Sequence, residues 1–207
     1  MGCTKDEMAR TFLALADRYG YRRATVEEVA ARCRISKKTL YEAFKSKAAL
    51  YEYALGLWAE DQRAAVEARL TAGPPEGRLA QWVELAFADA REASEKDRDP
   101  DADGPADLVT EVNERVFAPL IMDLLVRGNE EGAWTVADPE LTARFCVAVG
   151  VEGVARLLHD RGRDTEAATL ETIRRIVGVK VLVLASRAAD VVPSRRDMSS
   201  LLSKETR

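Results

Sequence analysis

Lysine and hydroxyl side chains cluster between residues 36 and 41, in a pattern that suits contact with a polyanion. Lys37 and Lys38 follow Ser36, and Thr39 and Tyr41 come close behind them. A lysine ammonium can donate to guanine O6 and N7, while threonine and tyrosine hydroxyls suit phosphate oxygens. The chemistry predicted here is hydrogen bonding to double-stranded DNA, and it needs a scaffold that presents these side chains together.

Two short helices joined by a tight turn are predicted to provide that scaffold. Thr25 followed by Glu28 forms a capping-box pattern, in which each side chain satisfies a free backbone N–H, so a helix should begin at Val26. Ser36 is a good N-cap for a second helix that runs to about Phe44. A second helix presented N-terminus first is how helix-turn-helix proteins enter the major groove. The apolar stripe of the first helix is Val26, Val29, Ala30 and Cys33.

The flanking residues favour a complete three-helix head over an ordinary helical hairpin with a solvated basic face, which is the alternative. An amphipathic helix precedes the segment and ends at Gly20, and Ser46 can cap a long helix from Lys47 to about Leu70. The apolar positions of the preceding helix are Met8, Phe12, Leu15, Ala16 and Tyr19.

The order of these elements resembles the TetR/AcrR family of bacterial transcriptional repressors. The run TLYEAFKSKAAL, from Thr39 to Leu50, is similar to the family's signature around the recognition helix. The other matching residues are Phe12, Ala16, Gly20, Thr25, Val29, Ala30, Ile35 and Ser36. The resemblance implies phosphate contacts by Thr39, Tyr41 and Lys47, and an approach to base edges by Lys37 and Lys38. The full set of predicted DNA-binding residues is Thr25, Arg34, Ser36, Lys37, Lys38, Thr39, Tyr41, Lys45 and Lys47.

Three residues depart from the family pattern. Arg34 stands where the family usually has glycine in the turn, and a non-glycine residue at positive φ costs on the order of 1 kcal/mol. Arg34 also adds a cation that we hypothesise to contact a further phosphate. Lys38 replaces a frequent glycine and Ala43 a frequent histidine, so the operator sequence should not be inferred from relatives.

The distribution of charge agrees with DNA binding by the N-terminal part alone. The chain of 207 residues has 31 Lys and Arg against 35 Asp and Glu, a formal net charge of −4. Residues 1–50 hold 11 basic and 6 acidic side chains (+5), and the remainder holds 20 and 29 (−9). A positive field concentrated on one part of the chain is the electrostatic footprint of a nucleic-acid binder.

No catalytic constellation was found, so we predict neither an enzyme nor a cofactor. His159 is the only histidine, and Cys3, Cys33 and Cys146 have no metal-ligand spacing. Cys33 is expected to be a core thiol, and no disulfide is predicted for a protein of the bacterial cytoplasm. The run from Asp99 to Asp103 opens like a calcium loop, but Thr110 occupies the position of the final glutamate ligand. We therefore predict no metal site. No signal peptide or membrane-spanning stretch is predicted either.

The sequence predicts an all-α protein of about nine helices in three parts. These are a DNA-binding domain at 1–50, a helical ligand-binding and dimerisation domain at 51–190, and a flexible tail at 191–207. Breaks in the apolar periodicity predict helices at about 76–94, 106–117, 119–127, 139–159 and 165–188. Thr165 is predicted to cap the last of them. Pro119 is predicted to occupy a helix's first turn.

The second part is expected to hold an apolar effector pocket and a dimer interface. Simple core packing is an equal alternative for each pocket residue, and a monomer's core is the alternative for the interface. The pocket candidates are Trp82, Phe87, Phe117, Met122, Trp134 and Phe145. By resemblance, the last two helices build a four-helix interface through Val147, Val151, Val154, Leu158, Ile173, Val177, Val181 and Leu184.

Two functions of different class follow. The first is a homodimeric, ligand-responsive transcriptional regulator, most simply a repressor that binds a palindromic operator and is released by a small, largely apolar effector. The alternative is a helical protein–protein interaction module without sequence-specific DNA binding. Only the first should lose affinity for DNA steeply as salt rises, since only it displaces counterions from phosphates.

Overall fold

A computed structural model describes residues 2–70, 73–94, 104–159 and 164–178 of the chain. These residues form eight α-helices and no strand, which agrees with the predicted all-α class. The helices are α1 (Lys5–Tyr19), α2 (Val26–Cys33), α3 (Lys37–Ala43), α4 (Lys47–Arg69), α5 (Pro75–Ser94), α6 (Ala106–Glu130), α7 (Pro139–His159) and α8 (Thr165–Val177).

The three short helices and the start of α4 share one small core, which we call the head. Phe12, Leu15, Val29 and Leu50 are completely buried there, and Leu40 of α3 is buried against them. The predicted helix starts are confirmed, because the Ser36 and Ser46 hydroxyls accept from the backbone N–H groups of Thr39 and Ala49, each at 3.0 Å. α1 also begins with a capping box, formed by Thr4 and Glu7, which was not predicted. These caps fix where each helix of the head begins.

The long helix α4 joins the head to the helices that follow, which we call the body (α5–α8). On its head side, Arg10 of α1 pairs with Asp61 at 2.7 Å, and the Tyr53 hydroxyl donates to Asp6 at 2.7 Å. On its body side, Glu52 accepts from Arg115 of α6 at 3.3 Å. Gly104, just before α6, packs so closely on the Tyr51 ring that a Cβ there would overlap it. α4 therefore touches both parts of the chain.

The turn between α6 and α7 is anchored by Trp134. Its indole is buried and packs on Gly128, where a Cβ would overlap the ring. The indole Nε1 donates to the Leu125 carbonyl at 2.9 Å. The Asn129 side chain both donates to and accepts from the backbone of Val136, each at 2.8 Å. These contacts close α6 and α7 into a hairpin.

Three predictions about helix boundaries are wrong. The helices predicted on either side of Pro119 are one continuous helix, α6, so eight helices rather than nine are described. The cap of α8 is Asp164, whose side chain accepts from the Ala167 N–H at 3.3 Å, and Thr165 is already the first helical residue. At Thr25 only half of the predicted capping box forms, because Glu28 pairs with Arg32 at 3.4 Å instead of reaching back. Residues 179–188 and the predicted tail at 191–207 lie outside the described residues, as do Asp99 to Asp103.

Candidate nucleic-acid interface

The N-terminal turn of α3 presents its polar side chains to solvent. Lys37, Lys38 and Thr39 are exposed, and Tyr41 keeps 49% of its surface accessible. On the opposite face Leu40 is 1% exposed and Phe44 3%. The helix is therefore held by its apolar side, with the predicted reading side directed outward.

Hydroxyl groups at the starts of α2 and α3 are exposed. Thr25 Oγ1 accepts from the Glu28 N–H at 3.2 Å, and Ser36 Oγ accepts from the Thr39 N–H at 3.0 Å. Ser36 and Thr39 also share a hydrogen bond of 2.9 Å, which uses the hydroxyl proton of one of them. The Thr25 hydroxyl and the other hydroxyl of the Ser36–Thr39 pair can still donate to a phosphate. Helix N-termini also favour phosphate, because their free N–H groups point at the ligand and the helix dipole attracts negative charge.

The two lysines of α3 differ in their surroundings. Lys37 pairs with Glu27 of α2 at 2.7 Å, whereas the nearest carboxylate to Lys38, that of Glu42, lies at 3.9 Å. The Lys37 ammonium holds the pKa of Glu27 below its usual value. The side chain of Lys38 is 86% exposed, so it is the freer of the two to reach a base edge. The sequence did not indicate a role for Glu27, because its partner Lys37 lies on the other side of the turn.

Lys47 makes contacts within the head, whereas the resemblance implies only a phosphate contact for it. Its ammonium donates to the Arg22 carbonyl at 3.1 Å and lies 4.5 Å from the centre of the Tyr21 ring. Partial burial lowers its pKa. Lys47 thus secures the connection between α1 and α2, and a phosphate contact by it stays a prediction. Lys45, by contrast, is exposed in the link between α3 and α4.

Arg34 adopts the left-handed conformation that its position suggested, with φ 53° and ψ 42°. It is the one non-glycine residue at positive φ in the described chain. Its N–H donates to the Ala31 carbonyl at 3.2 Å, and the Ile35 N–H donates to Ala30 at 3.0 Å. These bonds end α2 and set the direction in which α3 leaves.

Replacing Arg34 with glycine is expected to raise the free energy of unfolding by about 1 kcal/mol, because glycine adopts this conformation without a Cβ clash. The matched control is Arg32→Gly, which places glycine inside α2 and should lower stability by about 1 kcal/mol. Urea denaturation of both variants measures the difference. Shifts of the same sign in both would show that backbone strain at Arg34 is not the cause.

The six predicted pocket residues differ in how deeply they are buried. Trp82, Phe87, Phe117 and Trp134 are buried in the core, and Met122 is half-buried. Phe145 lies on the outside of α7 with 52% of its surface exposed, so the single chain does not enclose it, and its place in a pocket stays a prediction. A cleft of about 500 Å³ between α6 and α7 includes Met122 but none of the other five. Its lining is mostly charged, from Glu111, Glu114, Arg115, Glu140 and Arg144.

The predicted dimer face also divides in two. Val147, Ile173 and Val177 are at most 2% exposed, so within the single chain they offer almost no surface to a second copy. Val151, Val154 and Leu158 are half-buried, whereas Val181 and Leu184 lie outside the described residues. The apolar side chains that α7 and α8 leave exposed are Leu141, Phe145 and Ile176, at 46%, 52% and 37%.

Those exposed side chains lie on two helices that pack against each other, α7 and α8. Gly153 faces Thr169 so closely that a Cβ on Gly153 would overlap the threonine hydroxyl. Phe145 lies eight residues before Gly153 on α7, and Ile176 lies seven residues after Thr169 on α8. The two residues are therefore at about the same level along this pair of helices. Leu141 follows one turn beyond Phe145 on the same side of α7. We call these three residues the outer patch.

Neither a metal centre nor a membrane span is found where the structure is described. No three histidine, cysteine or carboxylate side chains in these ranges are placed to hold an ion together. Among the described residues, no helix combines the length and the apolar character needed to cross a bilayer.

Comparison with known proteins agrees with the geometry of the head. Residues 13–54 match the family model for bacterial regulatory proteins, tetR family. No curated protein was found to match the sequence. The whole fold, however, is similar to several solved structures.

RolR without ligand superposes with a TM-score of 0.68 at 19% identity, covering 84% of this chain and 90% of that one. RolR in complex with resorcinol gives 0.65 at 19% identity, covering 85% and 90%. The fatty acid degradation regulator FadR from Bacillus halodurans gives 0.59 at 18% identity, covering 86% and 96%. The R. erythropolis transcriptional repressor QsdR, described as from the TetR family, gives 0.59 at 13% identity, covering 84% and 93%.

The matched segment contains the whole helix-turn-helix, from the second half of α1 into α4. The structural likeness extends the shared fold over the body as well. Over residues 13–54 the chain matches the family model for bacterial regulatory proteins, tetR family, and the fold of the chain is similar to that of RolR.

Proposed function

We propose that this protein is a dimeric transcriptional repressor that binds a palindromic operator and leaves it when a small molecule occupies the body. The observation that carries the proposal is the exposed, basic N-terminal turn of α3 on a head with a surplus of positive charge. Residues 1–50 have 11 basic and 6 acidic side chains, while the chain as a whole has a charge of −4. Because the proposed target is chromosomal DNA, we also propose that the protein acts in the bacterial cytoplasm.

The head's geometry supports a division of labour on DNA. Lys38, the freer lysine of α3, is suited to donate to guanine in the major groove. The Thr25 and Ser36 hydroxyls and the exposed Tyr41 are suited to phosphates on either side. Arg34, also exposed, adds a cation at the turn. Phosphate contacts would fix the register of the head, and the lysines of α3 would supply the sequence preference.

Removing both α3 lysines tests this assignment. The Lys37→Ala/Lys38→Ala protein is expected to bind DNA roughly tenfold to hundredfold more weakly, since a good base contact contributes about 1–3 kcal/mol of discrimination. The probe is DNA selected by the wild-type protein from a randomised pool, with affinity measured by fluorescence anisotropy at several salt concentrations. Specificity is read by repeating the selection with the variant.

The control variant, Arg63→Ala/Arg127→Ala, removes two positive charges from α4 and α6, outside residues 1–50. It should leave DNA affinity within about twofold, because charges on the acidic side of the molecule make no phosphate contact. Unchanged affinity and unchanged selected sequence for the α3 double variant would overturn the proposed reading helix.

A second copy of the chain is the proposed partner of the outer patch. An operator read by two heads needs half-sites about one helical turn, or roughly 34 Å, apart. A two-fold dimer meets that need with one self-complementary surface. Leu141, Phe145 and Ile176 are large apolar side chains that keep 37% to 52% of their surface exposed among the described residues, and exposed apolar surface marks an interaction site.

Effector release is proposed to act through α4. This helix contacts the head through Asp61 and Tyr53 and the body through Glu52 and Tyr51. A small, largely apolar molecule held among the body helices, near Trp82, Phe87, Phe117 and Met122, would displace α6 against α4. The heads of the dimer would then lose the spacing that the operator requires. The pair of RolR structures, one without ligand and one with resorcinol, is the precedent for ligand binding within this fold.

A further inference from the structure

The surface that carries the two lysines of α3 also contains a carboxylate. Glu27, in the first turn of α2, places its Oε1 atom 2.7 Å from the Nζ atom of Lys37, the first residue of α3. The pair therefore joins two helices across the turn. More than half of each side chain is exposed, 53% for Glu27 and 58% for Lys37. A ligand that approaches Lys37 meets both charges together.

A carboxylate at this position has no evident use in a surface that only attracts phosphates. It repels phosphate oxygens, and it neutralises the lysine that would otherwise attract them. Stability does not require it, because an exposed ion pair contributes little to folding. The helix dipole does not require it either, since Glu28 supplies a second negative charge in the same turn of α2. The contact with Lys37 points instead to a role in what that lysine binds.

The hydrogen-bonding groups of the pair match those of a G·C base pair in the major groove. The Lys37 ammonium has more N–H donors than its bond to Glu27 uses, and the Glu27 carboxylate has more lone pairs. Guanine presents two acceptors, N7 and O6, and cytosine presents its N4 amino donor beside them. Lys37 can therefore donate to guanine while Glu27 accepts from cytosine.

The spacing of the pair fits the same base pair. Guanine O6 accepts a hydrogen bond from cytosine N4, so these two atoms lie about 2.9 Å apart. The atoms of Lys37 and Glu27 that would meet them are 2.7 Å apart. An A·T pair presents an acceptor, a donor and an acceptor in order, which places its amino group opposite the ammonium. The two side chains together thus distinguish G·C from A·T, whereas a lone ammonium binds any acceptor or phosphate within its reach.

We propose that Glu27 is a specificity-determining residue, which holds Lys37 so that the two side chains together recognise one G·C pair in each operator half-site. This role rests on the proposed function, because it needs a head that binds a particular DNA sequence. It also divides the lysines of α3. Lys37 acts with Glu27 as a unit, whereas Lys38, whose nearest carboxylate lies at 3.9 Å, is not held in this way.

The test compares Glu27→Ala with a matched control, Glu28→Ala, which removes the same charge from the same turn of α2. Glu28 pairs with Arg32 of its own helix, at 3.4 Å. The wild-type protein and both variants each select DNA from a randomised pool. Their affinities for the DNA selected by the wild type, and for DNA of random sequence, are then measured at several salt concentrations.

The wild type is expected to select a G·C pair at one fixed position of each half-site, and Glu27→Ala is expected to lose that preference. Its affinity for the selected DNA, relative to random DNA, should fall roughly tenfold, as for the loss of one good base contact. Lys37, once released, should add a phosphate contact, so the salt slope should steepen by about 0.9 for each head. Glu28→Ala should keep both the preference and the slope.

A double variant separates action through Lys37 from a general loss of negative charge. Adding Glu27→Ala to Lys37→Ala should leave the salt slope unchanged, because no lysine is then released to a phosphate. A slope that steepens in the double variant as well would contradict a role exerted through Lys37.

The remaining outcomes also decide the matter. An unchanged base preference in Glu27→Ala would overturn the role of Glu27, and an equal loss of preference in Glu28→Ala would do the same. In both cases the wild type still selects an operator, so the proposed function stands. A wild-type protein that selects no sequence from the pool would instead refute the proposed function, and the role of Glu27 with it.

Discussion

The Trp134→Ala protein is expected to lose about 3–5 kcal/mol of unfolding free energy, the usual cost of removing a buried large aromatic side chain. Trp134 is 4% exposed, and its indole fills the space that Gly128 leaves open between α6 and α7. Its Nε1 donates to the Leu125 carbonyl at 2.9 Å, a bond that alanine cannot replace. For a chain of this length the loss corresponds to a fall in melting temperature of roughly 6–20 °C.

A second tryptophan in the same chain provides the control. Trp58, on α4, is 41% exposed, so Trp58→Ala should cost less than about 1 kcal/mol. Both variants are compared by urea denaturation at one protein concentration, because assembly makes stability concentration-dependent. Equal losses for the two tryptophans would contradict the anchoring role of Trp134. A large loss for Trp134 alone, without any effector present, would identify it as a core residue rather than a pocket residue.

The head could be predicted almost completely because its structure is encoded locally. Ser36 and Ser46 cap their helices with side chains that act within three residues, and Arg34 stands directly after the helix that it ends. Interactions across the turn could not be predicted in the same way. The Lys37–Glu27 pair and the hydrogen bond from Lys47 to the Arg22 carbonyl both depend on how the helices pack.

Pro119 shows how packing overrides a local signal. A proline normally ends or begins a helix, since it lacks an N–H and cannot bond to the carbonyl four residues earlier, here that of Arg115. Yet buried side chains continue at helical spacing on both sides, with Val116 and Phe117 before the proline and Ile121 and Leu124 after it. Burial of this continuous stripe outweighs one lost hydrogen bond. The sequence shows the stripe but not the neighbouring helices against which it packs.

The body faces could not be assigned from sequence for a related reason. α7 is apolar on more than one side, so periodicity alone does not separate the face that packs within the chain from one that a partner covers. Val147 faces inward and Phe145 outward, although both are large apolar residues on the same helix. Their difference arises from how α5, α6 and α8 pack around α7, information that the sequence of α7 alone does not contain.

Phe145→Glu, a change in the outer patch, is expected to dissociate the proposed dimer into monomers. Loss of an aromatic anchor at an interface typically costs about 2 kcal/mol, and two-fold symmetry counts the change twice. The dissociation constant of the dimer should therefore rise roughly a thousandfold. Analytical ultracentrifugation at micromolar concentration should show monomers. Affinity for a palindromic operator should fall toward that for a half-site, because one head then binds without its partner.

Trp58→Glu is the matched control, since it places the same charge at another exposed aromatic residue, 41% accessible on α4. It should leave the protein a dimer. A Phe145→Glu protein that remains a dimer with full operator affinity would rule out the outer patch as the interface. The same pair of measurements separates two roles for Phe145. A pocket residue would change the response to an effector and leave assembly intact, whereas an interface residue would change assembly first and DNA affinity as its consequence.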